Sequence, residues 1–328
     1  MTAVTSECRL CESVGPHQTL EVREMMFGTR ELFEYFSCAA CDTLQVVRPL
    51  EGEELMRHYP STYYSHNGSA QPRAFQWLVT QRDRFKLQSG GRIFGSLLTS
   101  PVPEGIFRVL LGGDVVGMLA QLGVARDARI LDVGCGSGAL LDRLARVGFN
   151  SLAGADPFIA SDGESRERIP LMKRYLGDVT GEFDLIMFNH SFEHMPDPVA
   201  TLEVAAKKLA AGGMCLARVP TTSSEAWSIY GADWVQADAP RHMVIPSRNG
   251  MALAAERAGL RVEQTFDDST FGQFTGSEAY RGDVPVTDPK ILTMFRPKQI
   301  WAWEKRSKRL NQQNRGDQTG FVLRAKEH

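Results

Sequence analysis

Two Cys-x-x-Cys pairs, Cys8/Cys11 and Cys38/Cys41, stand near the start of the 328-residue chain. At this spacing two thiolates share one tight turn, and two such turns complete a tetrahedron around zinc at Zn–S of ~2.3 Å. Four thiolates close the shell and leave no position for water, so the expected metal is structural. A redox pair would sit at the start of a helix in a thioredoxin-like unit, and nothing around these cysteines has that form. Further on, "ILDVGCGSGALL" (130–141) sets Gly134, Gly136 and Gly138 directly after an apolar run, with Cys135 inside the turn. Glycine admits positive φ and close approach of a ligand, and the helix start that follows offers free N–H groups. A third group could move protons: His190, Glu193 and His194 in "NHSFEH", and His242 in "ADAPRHM". A histidine titrating near neutrality suits general-base work. Glu193 and His194 also have a plainer use, pinning the start of the next helix.

These residues need elements to hold them. The length suggests about two domains, and 43% hydrophobic with 23% charged residues is an ordinary globular balance. A formal net charge of -2 argues against duplex DNA or an acidic membrane as a bulk partner. No apolar run is long enough to span a bilayer; "VLLGGDVVGMLAQLGV" (109–124) carries Asp114 and reads as a buried helix. No secretory leader is visible, so a cytoplasmic protein is expected. Residues 1–50 read as a small cysteine module and 51–125 as a connector with cap helices, patterned over 74–87 and 104–124, with 88–103 as loop. Residues 126–328 read as the main domain. From Arg129 strands and helices alternate, which predicts an α/β fold: a parallel sheet with helices on both faces. A helix ending at the glycines of "AAGG" follows "PDP", and Ser247 is placed to cap another. Between strands at 151–157 and 183–190 a short helix is expected. After Phe266 the rhythm breaks into an insertion at about 267–318, with a basic helix "RPKQIWAWEKRSKRLNQQN", before a last strand at about 319–327 that would join the sheet edge.

The glycines alone fit two cofactors. Gly134, Gly136 and Ala139 satisfy the dinucleotide pattern G-x-G-x-x-G/A. Asp132 shifts the balance, because a carboxylate there repels a pyrophosphate and suits the amino end of a cationic ligand. The stretch resembles the first motif of the class I S-adenosylmethionine (SAM)-dependent methyltransferases, and later blocks fall in that family's order. "GADP" (154–157) resembles the end of the second strand, "LGDV" the adenine segment, "FDLIMFNHSFEHMPDP" the fourth-strand block, and "KKLAAGGMCLARVP" the turn before the fifth strand. The resemblance implies a Rossmann-like sheet ending in an antiparallel strand. It implies SAM held by Asp132, Gly134, Cys135, Gly136 and Gly138, with Asp156 and Pro157 at the ribose, Asp178 at the adenine and Asn189 in the fourth block. Ala211 stands where that family usually has proline, a departure confined to a turn.

The whole layout resembles a narrower group of bacterial methyltransferases that carry an N-terminal zinc ribbon, many of which belong with genes for cell-surface glycans, lipid-linked sugars or other secondary products. "HYPSTYYSH" (58–66), "DAPRHMVIPS" (238–247) and "GSEAYRGDVP" (276–285) carry this likeness. It implies zinc on Cys8, Cys11, Cys38 and Cys41, and methyl transfer to oxygen or carbon of a small-molecule, nucleotide-sugar or glycan-type acceptor. The base would be His194, His242 or His190, with Glu193 beside them and the His242 loop closing over the site. Tyr63 and Tyr64 are candidates for a lid; Trp234, Phe271, Phe274 and Tyr280 for the acceptor pocket. Lys298, Lys305, Arg306, Lys308 and Arg309 form a basic face, solvated or facing a pyrophosphate. A nucleic-acid methyltransferase is the alternative, against which stand the net charge and "NHSF" in place of an Asn/Asp-Pro-Pro-aromatic signature. A protein that binds SAM without transferring methyl is another.

Overall fold

The computed structural model describes residues 3–60, 72–88, 90, 92–99, 106–107, 110–111 and 113–326. In chain order the elements are β1 (Ala3–Val4), β2 (His17–Arg23), β3 (Leu32–Ser37), β4 (Leu44–Val46), α1 (Gly52–Met56), α2 (Arg73–Lys86), α3 (Arg92–Leu98) and α4 (Val115–Gln121). Then come β5 (Ile130–Val133), α5 (Ala139–Arg146), β6 (Leu152–Ala155), β7 (Gly163–Glu164), β8 (Pro170–Met172), β9 (Phe183–Asn189), α6 (Pro198–Lys208) and β10 (Leu209–Pro220). The chain continues with α7 (Glu225–Tyr230), β11 (Val244–Ile245), α8 (Arg248–Arg257), β12 (Leu260–Asp267), α9 (Gly272–Arg281), α10 (Pro297–Gln312) and β13 (Gln318–Ala325). It divides into two compact units, one of residues 61–189 and 207–216, the other of residues 1–60, 190–206 and 217–328.

The first unit holds the α/β alternation. β9, β5, β6 and β8 run parallel in that order, with Ile130 level with Leu152 on one side and Leu185 on the other. β5 is buried along its whole length, as an inner parallel strand must be. α5 turns Leu141 and Leu144 inward, and Leu141 packs against Ile169 and Leu171. Where a short helix was expected after β6, the chain forms β7 and β8 instead: the apolar run at 169–172 is too short for a helix and pairs along β6 and β7. Residues 92–98, expected as loop, are helical. Gly95 permits this, since a Cβ there would lie 2.2 Å from the Phe85 Cβ of α2. The helix predicted over 74–87 appears as α2; that predicted over 104–124 is interrupted, and α4 starts inside the span at Asp114, which caps it by accepting from the Gly117 N–H. Two acids and three cations tie these helices down. Asp83, fully buried, takes Arg143 through Nε at 2.5 Å and Arg82 through Nη1 at 2.8 Å, while Asp114 takes Lys86 and Arg82. Tyr63 and Tyr64 lie outside the described residues.

The second unit is built on two sheets. β1, β2, β3, β4 and β11 form an antiparallel sheet in that order, so Val244–Ile245 is a fifth strand added to the cysteine module. β12 pairs antiparallel with β13, and β13 lies between β12 and β10 rather than at an edge. α6 stops at Lys208, short of the predicted Gly-Gly end, because the chain passes directly into β10. Ser247 caps α8 through the Gly250 N–H at 2.8 Å. The glycine-rich start of the expected insertion is α9, whose Phe274 and Tyr280 are core residues, and the basic pattern is α10. Trp234 is fully buried and donates to Asp317 at 3.2 Å, so it and Phe274 are packing, not pocket lining. On the basic helix Arg306 is engaged by Glu225 at 2.5 Å and Lys308 by Glu304 at 3.8 Å. Among the described residues no helix is long and apolar enough to cross a membrane.

Candidate functional site

The cysteine module places its four ligands by two matching turns. In each, the second cysteine is followed by a residue in the left-handed region, Glu12 at φ 58° and Asp42 at φ 59°. In each, the first cysteine's N–H bonds five residues ahead, Cys8 to Ser13 O and Cys38 to Thr43 O. The Sγ atoms of Cys8 and Cys41 lie 3.6 Å apart, as do those of Cys11 and Cys38, and all four lie within 4.8 Å of one another. A tetrahedron with Zn–S of ~2.3 Å has edges of ~3.8 Å, so the donor set fits zinc. Gln45 Nε2 donates to Cys8 Sγ at 2.9 Å, the contact expected of a group that steadies a thiolate. His17 is buried and stacked on Phe36, apart from the ligand set.

The glycine turn lies at the carboxyl end of β5, where open parallel sheets bind their ligands. Gly134, Gly136 and Gly138 take φ of 75°, 50° and 75°, a run open only to glycine at low cost. Asp156, at the end of β6, braces the turn: one carboxylate oxygen accepts from the Gly136 N–H at 2.9 Å, the other from the Phe158 N–H at 2.8 Å. Asp132 is buried beside it. Burial, then the Asp156 charge, raises its carboxyl to about 8. Two buried acids around a glycine turn favour a ligand carrying positive charge, and this fits SAM, a sulfonium with an amino group. Pro157 is half-buried next to Asp156, Asp178 is exposed in a 3₁₀ turn, and Asn189 closes β9.

The histidines gather in the second unit. His190 has φ 54°, and its Nδ1 lies 3.3 Å from Glu193 Oε1. Glu193 is fully buried. Burial pushes its carboxyl up, but the His190 hydrogen bond and the fields of His242 and His194 outweigh this and hold it at about 2. His194 Nδ1 donates to the Arg241 carbonyl at 2.8 Å, with Tyr59 Oη 3.2 Å away. His242 Nδ1 donates to Gln236 O at 2.7 Å. A carbonyl can only accept, so both rings carry a proton on Nδ1, and Nε2 is the atom left to exchange one. The two rings stand 4.8 Å apart, and His242 Nε2 is 3.8 Å from both Glu193 Oε1 and Asp238 Oδ2.

The His242 loop, expected to be a closing flap, is anchored. Tyr35 donates to the His242 carbonyl at 2.8 Å, and the Val46 N–H donates to Met243 O at 3.0 Å. Arg241, fully buried, holds Asp238 Oδ1 at 2.6 Å, Glu24 Oε1 at 2.8 Å and the His58 carbonyl at 3.1 Å. Sequence reasoning missed Arg241, Asp238, Glu24 and Tyr35. The first two lie in the "DAPRHM" block it had marked; Glu24 and Tyr35 carry no local signal.

Residues 114–265 match the family model described as a methyltransferase domain. The ubiquinone biosynthesis O-methyltransferase of Xanthomonas oryzae pv. oryzae is 28% identical over 130 residues, covering 35% of this chain and 53% of that protein. The enzyme of the same name from Paracidovorax citrulli is 26% identical over 190 residues, covering 52% of this chain and 79% of that protein. The chain thus spans about half the length of the first of these relatives. The solved magnesium protoporphyrin IX methyltransferase of Synechocystis superposes with a TM-score of 0.40 at 14% identity, covering 66% of this chain and 90% of that one. The glycine turn after β5, the acid after β6 and the parallel order β9-β5-β6-β8 all lie within the residues that match the methyltransferase-domain model, and together they support a class I SAM-dependent methyltransferase.

Proposed function

We propose that the protein transfers a methyl group from SAM to a small-molecule, nucleotide-sugar or glycan-type acceptor. The observation that carries this is the glycine turn braced over the buried pair Asp132 and Asp156. Gly134, Cys135, Gly136 and Gly138 would hold the donor, with Asp132 toward its amino group. Asp156 and Pro157 would serve the ribose, Asp178 the adenine, and Asn189 the end of β9. SAM supplies the activated methyl on its sulfonium; the chain's task is to bind it and to take a proton from the acceptor. His194 and His242 suit that task, each with its Nδ1–H tied to a carbonyl so that Nε2 is the atom to take the proton, and ionised Glu193 stabilises the imidazolium that forms. His190 is the third candidate, held by Glu193. The relatives named as O-methyltransferases favour oxygen over carbon as the methylated atom. Zinc on Cys8, Cys11, Cys38 and Cys41 is structural in this reading, and the protein works in the cytoplasm.

Calorimetry with SAM and with NAD, followed by a screen of nucleotide-sugars, lipid-linked sugars and tRNA for methyl uptake, tests the proposal. SAM binding with methyl on a sugar or small molecule is expected. NAD bound in place of SAM refutes it, and uptake by tRNA alone moves the protein to the nucleic-acid class.

A further inference from the structure

We propose that Glu193, His194 and His242 form a second metal site, for a divalent cation that favours nitrogen ligands, zinc foremost. Their ligand atoms lie within 4.8 Å of one another, and the group is buried or nearly so. Both imidazoles are set as metal ligands usually are, with Nδ1–H tied to a backbone carbonyl, Arg241 O or Gln236 O, and Nε2 left to coordinate. Glu193 supplies the charge. Its Oε1 faces His190, while its Oε2 is buried with no hydrogen-bond partner among the described residues. An orphaned carboxylate oxygen in a buried site is costly unless a cation meets it. Three carboxylates, Glu193, Asp238 and Glu24, are buried here with Arg241 as the guanidinium among them. A tetrahedral site with ~2.0–2.1 Å bonds needs ligand edges of ~3.4 Å. The Glu193 to His242 edge is 3.8 Å and every edge is within 4.8 Å, so side-chain rotations of up to about 1.4 Å close the site. Three protein ligands leave a fourth position open, unlike the closed four-thiolate site.

This site rests on the geometry of three side chains and goes beyond the base reading: an Nε2 that takes a proton in the metal-free protein is a ligand in the loaded one. Full-length protein is loaded with Zn²⁺, desalted, and its metal counted by mass spectrometry. About two zinc ions per chain are expected for the wild type and about one for His242→Ala and Glu193→Gln. Loading with Co²⁺ identifies the ion lost: the intense thiolate-to-metal absorption stays in both variants, and the weaker band of the nitrogen and oxygen set disappears. Retained thiolate absorption also shows that the variants are folded in the cysteine module. One ion per wild-type chain with a purely thiolate spectrum, or two ions in His242→Ala, overturns the proposal. The count needs no turnover, so it is separate from the base reading, whose failure would appear as methyl transfer unaffected by His242→Ala or by His194→Ala.

Discussion

Glu24→Gln is the most direct probe of how the cysteine module holds the His242 loop. Glu24 is fully buried and faces four donors: the Phe27 N–H at 3.0 Å, the Thr29 N–H at 3.0 Å, the Thr29 hydroxyl at 3.2 Å and Arg241 Nη2 at 2.8 Å. Glutamine keeps the volume and one acceptor oxygen, which can still serve Phe27 and Arg241. Its NH₂ then meets the Thr29 N–H, donor against donor, and a buried amide goes unsatisfied at ~1–3 kcal/mol. Removing one partner of a buried ion pair costs ~3–5 kcal/mol, and here the figure falls toward the lower end because Asp238 still holds Arg241. A loss of about 3 kcal/mol lowers the melting temperature by roughly 6–12 °C for a unit of this size. The assay is thermal melting of zinc-loaded, full-length protein followed by circular dichroism. Acidity supplies a control. Burial pushes the Glu24 carboxyl up, but the Phe27 amide, Arg241 and the Thr29 amide hold it below its usual value. A depressed carboxyl stabilises the fold above the unfolded pKa of ~4.3 and loses that contribution as pH falls through the folded value. The gap between wild type and variant therefore narrows on acidification below about pH 4. A melting temperature within about 2 °C of wild type at pH 7 refutes the argument.

Asp132 behaves in the opposite sense: its carboxyl is raised to about 8, so the ligand-free protein loses stability as pH rises from ~4 to ~8, by up to ~1.4 kcal/mol per pH unit. Asp132→Asn flattens that slope in melting curves taken across the range; a slope equal to wild type contradicts the burial argument. Asp156→Ala removes two charge-assisted bonds from the glycine turn, and SAM affinity measured by calorimetry drops about 10- to 100-fold; unchanged affinity removes Asp156 from the donor site. Stripping the metal with a chelator releases a module that depends on it for folding. Hydrogen exchange then shows the Val46 amide, which donates to Met243 O, losing its protection, whereas a module that folds without metal keeps it.

Legibility followed the range of each physical signal. The four cysteines were readable because a knuckle is local: two ligands, three residues apart, on one turn. The glycine turn was readable for the same reason, since strand, turn and helix start are contiguous. Helices α2 and α10 showed in their residue patterns, and α4 as part of a longer expected helix. What failed was short or distant. β7 and β8 carry too few residues for a period, and α3 depends on Gly95 meeting Phe85, a contact no local pattern encodes. The histidines were marked by type, but their tautomers are set by the carbonyls of Arg241 and Gln236. Glu24 and Tyr35 reach the loop from more than 200 residues away, the latter across 207. The loop carries no local sign of its anchoring because its anchors lie in another part of the chain.

The added strand β11 has a consequence for how the protein is made. Synthesis proceeds at ~5–20 residues per second, so His242 follows Tyr35, 207 residues earlier, by roughly 10–40 s. For that interval the edge of β4 waits unpaired at the ribosome, and an open strand edge is a template for any passing chain. Metal capture by four cysteines within the first 41 residues can be complete well before then. A metal-loaded module would present β4 as an ordered, correctly registered edge when Val244 and Ile245 emerge. Zinc scarcity during translation would therefore appear as aggregation of the nascent chain, earlier than any loss of activity in the finished protein.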